Sequence, residues 1–508
     1  MQTARLMIAA PQGRSGKTTV AIGLCAALRK DGIKVKPFKK GPDYIDPSWL
    51  SAAAGLPCSN LDLFMFDRDT LVKGFGEDCA RADLALIEAS MGLYDSPLED
   101  GEGSSAWLAR ELQAPVILVV NCSRMTRSAA AMVSGYINFE PGTPVAGVIL
   151  NHVGNSRHET TIARAIEQHC GIPVLGALPR DDRLIIRERH LGIVPLQEQA
   201  EAATMIDRIG GVIRQHADVG RIVEIARGAD GLPRFARNDG DASAESAIYP
   251  VIARNAATKQ STRHGQIATP SGLAMTGSNN VIASEAQQSG ATQARIGVLA
   301  DKAFSFYYPE NLDALQKNGA QLIYIDSLSD TRLPAIDGLY IGGGFPELYA
   351  AELEANAGLR RDISTGAECG LPIYAECAGL IYLCRSITHS GRAYNMCGVI
   401  PADAEIEKKP QGHGYVSAEV TGQNPFFPAG ALLRGHEFHH SRLVNAGRMR
   451  YAYRVTRGNG IDGMNDGFTY KNVLAAYTHL HARGVPSWAQ NFVRLSAARR
   501  GAGKKVKV

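Results

Sequence analysis

Short apolar stretches alternate with longer amphipathic stretches in the first part of the chain. The apolar stretches predict β-strands at residues 6–10, 35–38, 84–87, 116–120, 146–150 and 174–177. A helical pattern begins at Lys17 and continues to Lys30. This alternation is typical of a mostly parallel sheet covered by helices.

A second alternating region begins near residue 296. Its predicted strands are residues 296–300, 321–325, 338–341, 371–375 and 473–477. Between the two regions, residues 228–293 are dominated by Ala, Ser, Thr, Asn, Gln and Gly, and their aromatic residues are Phe235 and Tyr249. Such a composition predicts a disordered insertion in a low-complexity linker.

These patterns predict an α/β protein with two doubly wound domains joined by a long low-complexity linker. The first domain spans residues 1–215 and the linker, with its disordered insertion, residues 216–294. The second domain spans residues 295–495, and a basic tail occupies residues 496–508. A chain of 508 residues is long enough for two such cores.

Composition excludes several classes of protein. The net charge of +4 is small for 508 residues, so no nucleic-acid partner is expected. The apolar run at 114–120 is far too short to cross a bilayer, so no membrane partner is expected. Nine cysteines occur without CxxC pairs, which favours reduced thiols in the cytoplasm and argues against a structural zinc site.

A glycine-rich loop follows the first predicted strand and leads into the first predicted helix. Backbone N–H groups in this setting hold phosphates, Lys17 bridges them, and Thr18 is placed to bind Mg²⁺. The match to G-x-x-x-x-G-K-[ST] is imperfect, because Pro11 stands at the first glycine position. The candidate nucleotide-binding residues of the loop are Gly13, Ser15, Gly16, Lys17, Thr18 and Thr19.

Three acidic residues follow the next predicted strands. Asp43 and Asp46 lie in a proline-rich loop after residues 35–38, and Glu88 ends the strand at 84–87. Carboxylates at the carboxyl ends of neighbouring parallel strands converge, and Mg²⁺ prefers oxygen ligands. Taken singly, each acid is more often a turn residue or a helix cap than a metal ligand. Together with Lys17 and Thr18 they predict a Mg-ATP site, with Thr18, Asp46 and Glu88 as metal ligands.

Cys377 lies between an apolar strand pattern and a helical pattern. A cysteine at such an elbow is expected to be exposed above the sheet, with its thiol pKa lowered by the helix N-terminus. Gly342, Gly343 and Gly344 follow another predicted strand, and with the N–H of Ala378 they are expected to form an oxyanion hole. Two histidine groups, at 436–440 and 479–481, compete to supply the base, and a buried structural histidine remains the alternative for each.

Several motifs together resemble the glutamine-hydrolysing cobyrinic/hydrogenobyrinic acid a,c-diamide synthase family. They are the phosphate loop, Gly-Pro-Asp-Tyr-Ile-Asp-Pro at 41–47, Met-Gly-Leu-Tyr-Asp at 91–95, Arg-His-Leu-Gly at 189–192, and the segments 303–311 and 342–347. The likeness covers nearly the whole chain outside 228–293. It implies a dethiobiotin-synthetase-like P-loop domain followed by a class I glutamine amidotransferase-like domain.

The resemblance implies a ligase in cobalamin biosynthesis. It would amidate the a and c acetate side chains of a corrin-type tetrapyrrole, with ATP as co-substrate, Mg²⁺ as cofactor and ammonia released from glutamine at Cys377. Asp43, Tyr44, Glu88 and Asp95 fall at the family's nucleotide, metal and carboxylate-activation site. The expected partners are these small molecules, and self-association as a homodimer is left open.

The resemblance also bears on the base. His479 follows a predicted strand, as the class I amidotransferase histidine does, so Cys377 and His479 are the expected catalytic pair. Class I enzymes carry a glutamate two residues later, but this chain has His481 there. The group that orients His479 is therefore unidentified, and no role is assigned to His436 and His439.

Two further functions remain open. The ring could be cobyrinate, hydrogenobyrinate, nickel-sirohydrochlorin or sirohaem, since no residue decides between them. A non-catalytic P-loop regulatory ATPase is the alternative from another class, although it leaves the Cys377 elbow unexplained.

Overall fold

The computed structural model describes residues 3–96, 101–189, 192–228 and 293–505. These residues form two compact units, one within 1–237 and one within 238–508. The expected insertion at 228–293 lies almost entirely outside the described residues, as do His190, Leu191 and the end of the basic tail. In the described ranges, no helix is both long and apolar enough to cross a membrane.

A seven-stranded parallel sheet organises the first unit. Its strands are β1 (Ala4–Ala9), β2 (Val35–Lys40), β3 (Ser59–Leu61), β4 (Leu84–Glu88), β5 (Val116–Asn121), β6 (Val145–Val153) and β7 (Val174–Pro179). They lie in the order β3-β2-β4-β1-β5-β6-β7. The central strands are buried along almost their whole length, which explains their continuous apolar sequences.

Helices connect these strands. They are α1 (Lys17–Lys30), α2 (Ile45–Ala54), α3 (Arg68–Cys79), α4 (Ser105–Glu111), α5 (Ser128–Asn138), α6 (Ser156–Cys170), α7 (Ala202–His216) and α8 (Val219–Arg227). The short strands β8 (Glu188–Arg189) and β9 (Gly192–Ile193) pair antiparallel. The predicted helix at 17–30 is confirmed with the same bounds. The carboxyl ends of β1, β2 and β4 lie side by side, which places the loops that follow them at one edge of the sheet.

The second unit contains a ten-stranded mixed sheet. It has a parallel half and an antiparallel half. The parallel half consists of β10 (Ala294–Leu299), β12 (Ala320–Ile325), β13 (Gly338–Ile341), β15 (Ile373–Glu376) and β24 (Val473–Ala476). The antiparallel half consists of β19 (Gly412–Val420), β20 (Leu432–His439), β22 (Tyr451–Arg457), β23 (Asn465–Tyr470) and β25 (His479–Leu480). The strands lie in the order β12-β10-β13-β15-β24-β23-β22-β19-β20-β25.

Smaller elements complete this unit. The short strands are β11 (Phe304–Phe306), β14 (Gly343–Gly344), β16 (Ser386–His389), β17 (Arg392–Asn395), β18 (Asp403–Ile406) and β21 (Ser441–Val444). The helices are α9 (Pro309–Lys317), α10 (Ala350–Ala355), α11 (Ala357–Glu368), α12 (Ala378–Leu383) and α13 (Ser487–Lys505). Apolar side chains from both halves of the large sheet and from the neighbouring helices form two buried clusters in this unit.

The predicted α/β class is confirmed, and all five strands predicted for the second unit are present. The antiparallel half was not predicted. Its strands carry polar and charged residues on their partly exposed positions, as in β19 and β22, so the apolar signal used to find strands is weak there. This half matters for function, because β20 and β25 bring two histidine groups together.

Candidate active sites

The phosphate loop of the first unit connects β1 to α1. Gly16 begins the helix with φ of 97°, and a Cβ there would lie 2.2 Å from Asn151 Nδ2, so only glycine fits. Asn151 Nδ2 donates to the Ser15 carbonyl at 2.9 Å and fixes the loop from the end of β6. Lys17 is buried, and its Nζ donates to the Met91 carbonyl at 2.8 Å. Gly13 is exposed, whereas Thr19 is partly buried in the first turn of α1.

A lysine that the sequence analysis missed lies at the centre of the acidic group. Lys39 Nζ is 2.5 Å from Asp46 Oδ2, 3.2 Å from Glu88 Oε1 and 3.8 Å from Asp43 Oδ2. Thr18 Oγ1 donates to Glu88 Oε1 at 2.5 Å. The predicted convergence of the three acids therefore occurs, with Lys39 between them. The sequence feature that could have identified Lys39 is a lysine near the end of a buried strand, followed closely by acidic residues.

The mutual proximity of these groups changes their protonation. Burial raises the pKa of Glu88 to about 7, although Lys39 acts in the opposite direction. Desolvation and the neighbouring Asp46 raise the pKa of Asp43 to about 6. Burial and the positive charge of Lys39 lower the pKa of Lys17. The three carboxyl groups outnumber the two lysines at this site, and a further cation would favour their ionised forms.

The acidic group fits a magnesium ion that also binds phosphate. Glu88 is fully buried, and its Oε2 has no hydrogen-bond partner among the described residues. Thr18 and Asp46 present oxygen atoms beside it. Across the described ranges, no three His, Cys, Asp or Glu side chains converge as a complete metal site. Mg²⁺ commonly uses one or two carboxylates together with substrate phosphates, so these residues fit it.

The remaining candidates of this unit lie on the two neighbouring loops. Asp43 Oδ1 accepts hydrogen bonds from the N–H groups of Ile45 and Asp46, so it also caps the start of α2. Tyr44 is the residue directly before that helix. Asp95 is exposed, and its Oδ2 accepts from Gly92 N at 2.7 Å in the loop that also contacts Lys17.

In the second unit, Cys377 lies in a strained turn between β15 and α12. Its φ is 48° and its ψ is −98°, a conformation that non-glycine residues adopt rarely. Cys377 N donates to the Ala476 carbonyl at 2.7 Å, which fixes the turn against the end of β24. The sequence-based prediction of a strand–cysteine–helix elbow therefore describes the local structure.

The expected exposure and lowered pKa of Cys377 are wrong for the resting site. Cys377 is 6 % exposed, and burial raises the pKa of its thiol well above the usual value, with the nearby Glu347 adding to this effect. The N–H of Ala378 acts in the opposite direction but does not outweigh burial. Burial in apolar surroundings opposes the charged thiolate, so the thiol needs a base.

The glycine loop at 342–344 lies against this elbow. Gly379 N donates to the Gly342 carbonyl at 3.1 Å, and β14 pairs with β11. Gly342 N already donates to Tyr307 Oη at 2.7 Å, so this N–H is not free for a reacting oxygen. The candidate donors of the expected oxyanion hole are therefore the N–H groups of Gly343, Gly344 and Ala378.

His479 and His481 occupy different surroundings. A Cβ at Gly343 would lie 2.6 Å from His479 Cε1 and 3.3 Å from His479 Nε2, so the imidazole faces the glycine loop. His481 accepts from Arg483 N at its Nδ1, and its Nε2 lies 3.4 Å from Glu310 Oε2. The imidazole of His479 is therefore the one beside the elbow's glycine loop.

The histidines of β20 flank the same region. His436 is stacked on His479 with ring centroids 4.9 Å apart, and its Nε2 lies 2.8 Å from Tyr308 Oη. Burial, with His479 and His481 nearby, lowers the pKa of His436 well below its usual value, so it is neutral. His439 is stacked on Tyr477, 3.6 Å between centroids, and its Nε2 lies 3.5 Å from Glu437.

Glu376 is a second residue that the sequence analysis missed. It ends the apolar strand β15 directly before Cys377, and its Oε2 lies 3.4 Å from His479 Nδ1. The signal in the sequence is a charged residue at the end of an otherwise apolar strand.

Both units match known families. Residues 6–192 match the CobQ/CobB/MinD/ParA nucleotide binding domain, and residues 295–486 match the CobB/CobQ-like glutamine amidotransferase domain. A cobyrinate a,c-diamide synthase of Magnetococcus marinus is 40% identical over 491 residues, covering 96% of each chain. A protein of the same name from Dehalococcoides mccartyi strain CBDB1 is 40% identical over 504 residues, 98% of this chain and 99% of the relative.

The similarity extends to archaea. A cobyrinate a,c-diamide synthase of Archaeoglobus fulgidus is 37% identical over 495 residues, 97% of this chain and 98% of the relative. Similarity of this extent covers both the phosphate loop and the cysteine elbow. The chain therefore belongs to the cobyrinate a,c-diamide synthase family.

Proposed function

We propose that this protein amidates the a and c acetate side chains of cobyrinate or hydrogenobyrinate in cobalamin biosynthesis, using ATP and glutamine. The observation that carries the proposal is that one chain combines a phosphate loop beside an acidic group with a cysteine elbow beside a histidine. Relatives that align with this chain over nearly their full length bear the name cobyrinate a,c-diamide synthase, and this name suggests the substrate.

In the first unit, the phosphate loop would hold the ATP phosphates with backbone N–H groups and Lys17. The residues proposed for this role are Gly13, Ser15, Gly16, Lys17, Thr18 and Thr19. Thr18, Asp46 and Glu88 would hold Mg²⁺, which when bound neutralises phosphate charge. Asp43, Tyr44 and Asp95 would complete the nucleotide site, beside the place where the acetate carboxylate is activated.

An amide does not form readily from an ionised carboxylate, because oxide is a very poor leaving group. An acetate oxygen therefore attacks the γ-phosphorus of ATP, the bond to the β,γ-bridging oxygen breaks, and ADP leaves. The product is an acyl phosphate, which carries a good leaving group. Lys17 Nζ offsets the negative charge that develops on the transferred phosphoryl group.

In the second unit, Cys377 Sγ would attack the side-chain amide carbon of glutamine. His479 takes the thiol proton and passes it to the departing nitrogen, so ammonia leaves and a thioester remains. The N–H of Ala378 with that of Gly343 or Gly344 stabilises the oxyanion. Water then hydrolyses the thioester, which releases glutamate and restores the thiol.

Ammonia attacks the acyl carbon, the bond from that carbon to the phosphate oxygen breaks, and phosphate leaves with one proton from the nitrogen. Each round consumes one ATP and one glutamine and converts one acetate to an amide, so two rounds give the a,c-diamide.

The proposal includes a cytoplasmic location and small-molecule partners, without nucleic acid or membrane. The nine cysteines are in the thiol form and not in disulfide bonds, as expected of a reducing compartment. Self-association as a homodimer is part of the same proposal, and sedimentation of the purified chain tests it.

Mass spectrometry of tetrapyrrole products tests the proposed reaction. Cobyrinate, hydrogenobyrinate, nickel-sirohydrochlorin and sirohaem would each be incubated with ATP, Mg²⁺ and glutamine, with Cys377→Ala as the control. We expect double amidation of cobyrinate or hydrogenobyrinate, lost with glutamine in the control variant and restored by free ammonia. Amidation of nickel-sirohydrochlorin or sirohaem alone, or ATP turnover without amidation, would contradict the proposal.

A further inference from the structure

Glu376 is a buried carboxylate at the end of an apolar strand, one residue before the proposed nucleophile. It is 1 % exposed, and polar groups from several elements converge on it. Its Oε1 accepts from Tyr374 Oη at 3.1 Å and from Leu480 N at 3.2 Å. Its Oε2 accepts from Tyr340 Oη at 3.1 Å and lies 3.4 Å from His479 Nδ1.

These contacts fix where the carboxylate lies. An isolated buried carboxylate is costly, but three hydrogen-bond donors and an imidazole surround this one. Leu480 directly follows His479, so the hydrogen bond from Leu480 N also ties β25 to the same carboxylate. Glu376 thus holds both the backbone and the ring of the histidine segment.

We propose that Glu376 is the positioning residue of the glutaminase site, orienting His479 and stabilising its charged form. This inference rests on the proposed function and names the orienting group that the sequence left unidentified. With Nδ1–H directed at Glu376, Nε2 is left as the acceptor. That nitrogen lies on the side of the ring that faces Gly343, where the glycine loop meets the cysteine elbow.

The chemistry of the elbow requires such a partner. Burial raises the pKa of Cys377, so moving its proton to His479 creates two charges in a buried site. A carboxylate at the other imidazole nitrogen stabilises the imidazolium, as the aspartate does in serine hydrolases. Because this carboxylate comes from the strand before the nucleophile, no acid is needed at position 481.

Other titratable groups of this part of the second unit do not take this role. His436 is stacked on the imidazole and is neutral, because its pKa lies well below the usual value. Glu310 lies 3.4 Å from His481 and 4.0 Å from Arg483 Nη1. Glu437 is within ion-pair distance of His439 and accepts from the N–H groups of Asn459 and Gly460.

The test compares Glu376→Gln with Tyr374→Phe in the full-length protein. Glutamate release without tetrapyrrole measures the glutaminase step. We expect Glu376→Gln to lower its kcat at least roughly 10-fold while KM for glutamine changes less than about twofold. Tyr374→Phe removes one hydrogen bond to Oε1 and leaves the carboxylate facing His479, so its kcat should change only slightly.

A second readout follows the Cys377 thiol directly. The rate of its alkylation by iodoacetamide as a function of pH reports thiolate formation. In Glu376→Gln, we expect a slower rate at pH 7 and a profile displaced to higher pH, because the imidazolium has lost its carboxylate. Ammonia-dependent amidation should equal that of the wild type, since the acyl phosphate forms in the other unit.

Several outcomes would overturn the inference. They are a Glu376→Gln kcat within about twofold of the wild type, an unchanged alkylation profile, or equal losses of glutaminase and ammonia-dependent activity. If Glu376→Gln is insoluble, Glu376→Asp keeps the charge but withdraws it from the ring. A wild-type glutaminase kcat in that variant would also overturn the inference. Failure to amidate any ring would refute the proposed reaction alone, because glutamate release and alkylation are measured without a ring.

Discussion

Replacing Gly343 by alanine should disable glutamine use while leaving ammonia use intact. A Cβ at this position would lie 2.6 Å from His479 Cε1 and 3.2 Å from Phe306 Cβ. Ordinary contacts between such carbon atoms are about 3.5–4.0 Å, so relief of the overlap requires a movement of roughly 1 Å. The backbone of residue 343 is held by pairing of β14 with β11, so the imidazole is the part that moves.

The magnitude follows from how sensitive proton transfer is to position. A displacement of about 1 Å can cost on the order of 100-fold in rate, which corresponds to about 2.7 kcal/mol in activation free energy. The ring would move away from the cysteine elbow and change its distance from Glu376. We therefore expect the glutaminase kcat of Gly343→Ala to fall roughly 100-fold.

The assay measures glutamate release and ring amidation in the same preparation, with either glutamine or ammonia as nitrogen source. Gly211→Ala is a suitable control, because a Cβ at Gly211 meets no atom within 4 Å. Wild-type glutaminase activity in Gly343→Ala would refute the reasoning, since the imidazole would then tolerate the extra carbon. A parallel loss of ammonia-dependent amidation would refute the separation of the two chemistries.

Three further predictions concern the buried charges. Lys39→Met leaves three acids without their central cation, so we expect the unfolding free energy, measured by thermal denaturation, to fall by about 3–5 kcal/mol. Lys73→Met, which removes an exposed ion pair with Glu77, is the control. A loss in Lys39→Met no larger than in this control would contradict the prediction. In His479→Asn, the raised pKa of Cys377 keeps the thiol protonated, so the rate of its alkylation by iodoacetamide at pH 7 should fall at least about 10-fold. The rate should still increase above about pH 9, where the thiolate begins to form. A pH profile equal to that of the wild type would contradict this prediction. Burial raises the pKa of Glu437, but the nearby His439 and hydrogen bonds from two backbone N–H groups outweigh this and keep it below the usual 4.5. Its ionised form therefore stabilises the fold above that pH, and the contribution is lost as pH falls through the lowered pKa. Glu437→Gln should cost about 1–3 kcal/mol at pH 7 and progressively less in acid, and a difference that grows in acid would contradict the assignment.

The local structure around both candidate sites could be predicted from sequence. The helix that begins at Lys17 and the strand before Cys377 follow from patterns within about ten residues, because hydrophobic period and glycine position determine local conformation. The antiparallel half of the second unit could not be predicted in this way. Its partly exposed strands have mixed polar sequences, and their pairing depends on partners far along the chain.

The chemistry of each site was only partly predictable. The convergence of Asp43, Asp46 and Glu88 followed from their places at neighbouring strand ends, but the position of Lys39 among them did not. For Cys377, an elbow alone suggested a lowered pKa, whereas the pKa depends on how much protein surrounds the thiol. Burial is a property of the packed molecule and leaves no local sequence pattern at the cysteine itself.

The sequence by itself determined the fold class, the phosphate loop, the nucleophile elbow and the family resemblance, because these are properties of contiguous segments. Only the tertiary structure decided which groups face each other. Glu376 and His479 are separated by 103 positions and meet because β15 pairs with β24, which leads to β25. The same holds for Gly343 beneath the imidazole and for Asn151 beside Gly16. Contacts of this kind depend on strand order and burial, which a chain acquires only when its distant segments pack together.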